Sequence, residues 1–215
     1  MFKLCFRFVL YLFMVIGFSS ARAGAYEDFF KAISFDDERS VSELLKRGFD
    51  PNSLDEKGQA PLYLSLRGGS FKVADVLLNH PVTRIDLANS VGETALMMSA
   101  LKGQTEWLQK LSARGASLEP KSQPAWTALH YAASGPELKA VQWLLAHGAR
   151  VDARSPNGST PLMMAARYGS VDAVGLLLKQ GANARLRNDL DLVAADFARQ
   201  VGRDALADQL TQAAR

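Results

Sequence analysis

Small and apolar side chains recur along this chain with a long period, and polar residues fill the intervals. Thr160-Pro161-Leu162 follows Thr127-Ala128-Leu129 by 33 positions, and Thr94-Ala95-Leu96 comes another 33 earlier. Gly115-Ala116, Gly148-Ala149 and Gly181-Ala182 keep the same interval. One step earlier, Ala60-Pro61-Leu62 stands 34 before Thr94-Ala95-Leu96, which marks a one-residue insertion around His80 to Ile85. Forward, Val193-Ala194-Ala195 continues the period, with Gly202 answering Gly169. Near the start only the second half of the pattern survives, as Val41, Leu44, Leu45 and Gly48.

Each unit predicts two short helices. In the unit STPLMMAARYGSVDAVGLLLKQGANA, Thr160 suits a helix cap, and Pro161 suits the first helical position, where its missing N–H costs nothing. Leu162 faces inward, Ala165 and Ala166 let a neighbouring helix approach closely, the paired methionines fill space, and Gly169 ends the helix. A second helix is predicted from Asp172 to Lys179, with Val174, Leu177 and Leu178 on one face. Gly181 then takes the left-handed position and turns the chain out into a hairpin. Neither helix is long enough to persist alone in water, so stability has to come from stacking on neighbours.

Four in-phase copies of this double motif resemble the ankyrin-repeat family over almost all of residues 24–215. The resemblance implies an all-α solenoid of about six helix-turn-helix units with short hairpin loops, over 26–52, 55–86, 89–118, 122–152, 155–184 and 188–212. It also implies that His130, in TALHYAA, hydrogen-bonds between repeats. Tyr63, Met97 and Met163 stand in the same slot and are expected to trade that bond for apolar area. Pro136, beside Gly135, is expected to shift the start of its second helix, and Asp191, in place of a hairpin glycine, to alter the last finger. Polar end units close such stacks. Asp36, Asp37, Glu38 and Arg39 fit that role at one end, and Arg199, Gln200, Arg203, Asp204, Asp208 and Gln209 at the other, as expected of a complete array.

The N-terminus reads differently. Lys3 and Arg7 precede an uncharged apolar run of 11 residues, Phe8 to Phe18, and Ala21-Arg22-Ala23 has the small-x-small form of a signal-peptidase site. The run is shorter than the roughly 20 residues of a spanning helix. Residues 1–23 are therefore expected to be a cleaved signal peptide, cut between Ala23 and Gly24, with a periplasmic product. Removing Lys3, Arg7 and Arg22 lowers 25 Lys plus Arg to 22, equal to the 22 Asp plus Glu. The global positive charge that draws proteins to nucleic acid is then gone. A gradient remains, with 11 basic and 14 acidic residues in 24–120 against 11 and 8 beyond. The single cysteine, Cys5, leaves with the leader, so packing alone has to hold the fold.

Catalytic patterns are sparse. His80, His130 and His147 match no metal-binding spacing, and no Gly-x-Ser-x-Gly or phosphate loop occurs. His80 and His147 fall at the ends of second helices, where a donor suits the last carbonyls. Asp36-Asp37-Glu38 and the Asp189, Asp191 pair read as solvated turn residues.

By resemblance, partner contacts fall on hairpins and first helices, which line a concave side. They are Glu56, Lys57, Gln59 and Arg67; then Ser90, Val91, Glu93, Leu101 and Lys102. The fourth unit gives Gln123, Pro124, Trp126 and Ser134, and the fifth Pro156, Asn157, Ser159, Arg167 and Tyr168. Trp126, near Arg167 and Tyr168, has the composition of a binding hot spot, or else packs over the next hairpin. The function these features imply is a monomeric, non-catalytic protein-binding module without cofactor, metal, nucleic acid or membrane. Its partner is a protein, such as an exported enzyme it protects or inhibits. A membrane-tethered scaffold and an enzyme with a site between hairpins are the alternatives.

Overall fold

The same two-helix unit repeats along a computed structural model of the chain, which describes residues 24–119 and 126–215. Helix α1 covers 24–34, followed by α2 (Glu38–Lys46), α3 (Pro61–Gly68), α4 (Phe71–Asn79), α5 (Ala95–Leu101) and α6 (Thr105–Ala113). Then come α7 (Ala128–Ser134), α8 (Leu138–Ala146), α9 (Pro161–Arg167), α10 (Val171–Lys179), α11 (Ala194–Arg199) and α12 (Asp204–Ala213). No strand occurs among the described residues. The leader expected over 1–23, and with it Ala23, lies outside them, as do Gln123 and Pro124. Among the described residues no helix is long and apolar enough to cross a membrane.

The sequence sets the ends of these helices. Thr94 and Thr160 side chains accept the backbone N–H of Met97 and Met163, and Pro61 and Pro161 occupy first-turn positions. Gly115, Gly148 and Gly181 follow the second helices with φ of +84°, +86° and +87°, a region costly for any residue with a Cβ.

Packing runs from repeat to repeat. Leu66, Leu96, Leu129 and Leu162 of the first helices and Leu77, Leu108, Leu144, Leu177 and Leu210 of the second are sealed from solvent. First helices carry alanines at the contact and lie in close, extensive contact with one another, whereas second helices touch their counterparts sparsely. The stack is therefore tighter along the first helices than along the second. Gly169 contributes through space rather than as a helix end: a Cβ there would stand 2.2 Å from the Ala133 carbonyl oxygen.

Several expectations are corrected. Pro136 does not shift its second helix, since α8 starts at Leu138 after α7 at Ala128, the same step as Pro161 to Val171. Gly135 absorbs the change with extended backbone, φ −83° and ψ 172°. Asp191 does not alter the last finger. It adopts φ +61° itself, the Asn188 side chain accepts the N–H groups of Leu190 and Leu192, and the finger's Asn188-to-Leu192 bond is 3.0 Å. The fifth finger closes the same way, Ser155 to Ser159, at 2.9 Å. Arg203 does not face outward as an end-unit residue. Its Nη1 donates to the carbonyls of Ala165, Ala166 and Gly169, capping the preceding repeat's α9. Gln104, in the corresponding place, donates to the Leu66 carbonyl at 3.1 Å. His147 Nδ1 bonds the Trp143 carbonyl at 2.7 Å, but His80 Nδ1 is buried with no hydrogen-bond partner among the described residues.

Candidate functional site

His130 illustrates how a repeat position joins two units. The Thr127 backbone N–H donates to Nδ1 at 3.1 Å, which fixes the tautomer and leaves Nε2–H to donate to the Ser159 carbonyl at 3.0 Å. Burial pushes this imidazole down to about 4, against weaker upward pulls from the Ser159 and Ala153 backbone. Met163 keeps half of this arrangement, its sulfur taking the Thr160 N–H at 3.4 Å. Tyr63 corrects the expectation of a lost inter-repeat bond, because its hydroxyl donates to Glu93 Oε2 of the next repeat at 2.8 Å.

Glu93 gathers three repeats. Oε2 also accepts Asn89 Nδ2 at 2.8 Å, and Oε1 accepts the Tyr131 hydroxyl of the following repeat at 3.0 Å. Partial burial alone raises this carboxyl, but the Asn89, Tyr63 and Tyr131 bonds and the Arg67 charge outweigh it and hold the group below the usual range. Its phenol partners move the other way: burial and the neighbouring carboxylate push Tyr63 up to about 12 and Tyr131 higher still. Trp126 is half-buried, with its ring 6.2 Å from Tyr131 and 5.1 Å from His130, both edge-on. It therefore packs within its own repeat while leaving part of the indole open.

Of the residues the sequence nominates, Glu56, Lys57, Arg67, Ser90, Val91, Lys102, Pro156, Asn157 and Tyr168 are exposed. Gln59, Glu93, Leu101, Trp126, Ser134 and Arg167 are half-buried. Ser159 is fully buried and is no surface contact: its N–H goes to the Ser155 hydroxyl and its carbonyl to His130. Two subsets are brought together. Arg67 reaches Gln59 at 3.2 Å beside the Glu93 cluster. Arg167 donates to Gln200 at 2.6 Å and lies 5.3 Å from the ring centre of Tyr168, which is 61 % exposed. Val91, 77 % exposed, stands on the third finger apart from both.

The sequence reading missed Tyr131 and Asn89. Its signal for Tyr131 was the aromatic next to the histidine slot, in a chain where Tyr63, in the slot of another repeat, reaches the same carboxylate. It also missed a groove of about 420 Å³ between α1 and α3, lined by Phe30, Ile33, Leu64 and Arg67. Among the described residues no group of three His, Cys, Asp or Glu is placed to hold a metal ion.

Comparisons with known proteins match this geometry. The family described as Ankyrin repeats (3 copies) matches residues 29–122 and 108–188. Human transient receptor potential cation channel subfamily A member 1 is 33% identical over 96 residues, 44% of this chain and 8% of that protein. The chicken (Gallus gallus) nuclear factor NF-kappa-B p105 subunit is 35% identical over 95 residues, 43% of this chain and 10% of its own length. The chain thus spans a tenth or less of the curated relatives it matches. A solved chain from the complex of the Bd0816 predatory endopeptidase of Bdellovibrio bacteriovorus with immunity protein Bd3460 superimposes with a TM-score of 0.71 at 26% identity. That match covers 86% of this chain and 97% of the solved one. With repeat matches spanning most of its length and stacked helix pairs to match, the chain belongs to the ankyrin-repeat family.

Proposed function

We propose that this chain is a non-catalytic inhibitor module of the bacterial periplasm that holds an exported peptidase on its concave side. The observation that carries this reading is the fit, over 86% of this chain and 97% of the other, to a solved chain from an endopeptidase–immunity protein complex. Three features support it. The N-terminal 23 residues have the form of a signal peptide, which suits a partner met after export. The hairpin and first-helix side carries Arg67, Trp126, Arg167 and Tyr168, residue types enriched where partner proteins are gripped. The mature chain carries no thiol, which suits an oxidising compartment. A single copy binds one enzyme molecule and withholds its active site from substrate until the two part.

The purified chain, immobilised and exposed to periplasmic extract, should retain a peptidase, identified by mass spectrometry. Adding the chain back in equimolar amount should then suppress that enzyme's hydrolysis of its substrate. Retention of no hydrolase, or full activity in the presence of excess chain, would overturn the reading.

A further inference from the structure

We infer that Glu93, Tyr131 and Trp126 form a receptor for one arginine side chain of the partner. This rests on the protein-binding reading above and adds the chemistry of its anchor. Glu93 is half-buried, yet among the described residues no cation lies within ion-pair distance of its carboxylate. Arg67 acts on it only through its charge, with Nη1 committed to Gln59.

Three donors from three repeats hold the carboxylate still: Asn89 Nδ2 at 2.8 Å, Tyr63 Oη at 2.8 Å and Tyr131 Oη at 3.0 Å. Among the described residues two of these donate to Oε2 and one to Oε1, and a carboxylate oxygen can accept more than one donor. Beside Oε1 stands the half-buried Tyr131 phenol, whose ring lies 6.2 Å from the half-buried Trp126 indole. A planar guanidinium meets all of this at once: an N–H for Oε1, charge for the carboxylate and a flat face for an aromatic ring. The carboxylate is already oriented and partly desolvated, so an incoming cation does not have to order it.

The test is a titration of the purified chain with Nα-acetyl-arginine N-methylamide, followed by NMR at the Trp126 indole N–H. The matched citrulline compound, neutral and of the same shape, serves as the control ligand. Saturable shifts at millimolar arginine are expected. Binding should be at least tenfold weaker for citrulline, and at least tenfold weaker for Glu93→Gln toward arginine. Equal responses to the two ligands, or no saturation by about 100 mM arginine, overturn the inference. Should Glu93→Gln fail to fold, the comparison of the two ligands on the unaltered chain decides alone.

The two readings fail separately. Arginine selectivity without a captured peptidase leaves this receptor standing and removes the proposed partner. Equal inhibition of a captured peptidase by the unaltered chain and Glu93→Gln does the reverse.

Discussion

His130→Met puts into the third slot the residue that two other repeats already use, Met97 and Met163. In the folded chain the imidazole is buried and neutral, with its proton affinity lowered from 6.5 to about 4. Protonation would also set a new Nδ1–H against the Thr127 N–H that now donates to that nitrogen at 3.1 Å. The unfolded chain takes up this proton near 6.5 and the folded chain only near 4, so the unfolded state binds more protons between those values. Stability from this residue is therefore complete above about 6.5, drains away as pH falls and is lost below about 4. The shift is worth roughly 3 kcal/mol at about 1.36 kcal/mol per unit. For a chain of this size that corresponds to roughly 6–12 °C in Tm. Thermal unfolding followed by circular dichroism from pH 7 to pH 4 should show this loss. His130→Met should start lower at pH 7, having given up the bond to the Ser159 carbonyl, but should fall less steeply by about that amount. Equal slopes for the two proteins would refute a buried neutral histidine as the source.

Gly169→Ala forces a methyl to 2.2 Å from the Ala133 carbonyl oxygen and should lower Tm by roughly 2–12 °C, whereas Gly175→Ala, in a helix with open space around it, should raise Tm by a few degrees. Gly169→Ala as stable as the parent would contradict the close stacking of first helices. Tyr63→Phe and Tyr131→Phe should each cost about 1.5–3 kcal/mol in denaturant unfolding, because each removes a bond to a charged acceptor. The double variant should lose less than the sum, since Glu93 is then free to turn toward water; strict additivity would mean the two bonds are uncoupled. Arg203→Ala strips a donor from three carbonyls and should cost about 2 kcal/mol, against less than about 0.5 kcal/mol for the exposed Arg199→Ala. Similar losses for both would mean that Arg203 caps nothing.

The period, the paired helices and the turn glycines were legible in the sequence because each reports a local rule. Thr160 caps, Pro161 starts, Ala165 and Ala166 permit approach, and Gly181 turns left-handed. Most of the failures involve contacts between units. Tyr63 was read as losing a hydrogen bond because the carboxylate that receives it lies 30 residues away, on a hairpin that only stacking brings near. Arg203 was read as solvated because its three carbonyl partners belong to the preceding repeat, at least 34 positions back. Asp191 was read as disruptive from its lack of glycine-like freedom, yet aspartate tolerates the left-handed region better than most residues. Ser159 stood at a nominated contact position, but it is buried, with its carbonyl taking His130 Nε2 and its N–H going to the Ser155 hydroxyl. For the site, individual exposed residues were readable, and the clustering of Glu93 with Tyr63 and Tyr131 was not.

The central claim is that this array works by holding an exported enzyme on its inner side. Site-specific photo-cross-linking in living cells tests it most directly, with the probe at Val91 or Tyr168 on the hairpin and first-helix side, or at Gln142, exposed on the second-helix side. The account predicts adducts with one exported hydrolase from Val91 and Tyr168 and none from Gln142. Adducts that form only from Gln142 would contradict it.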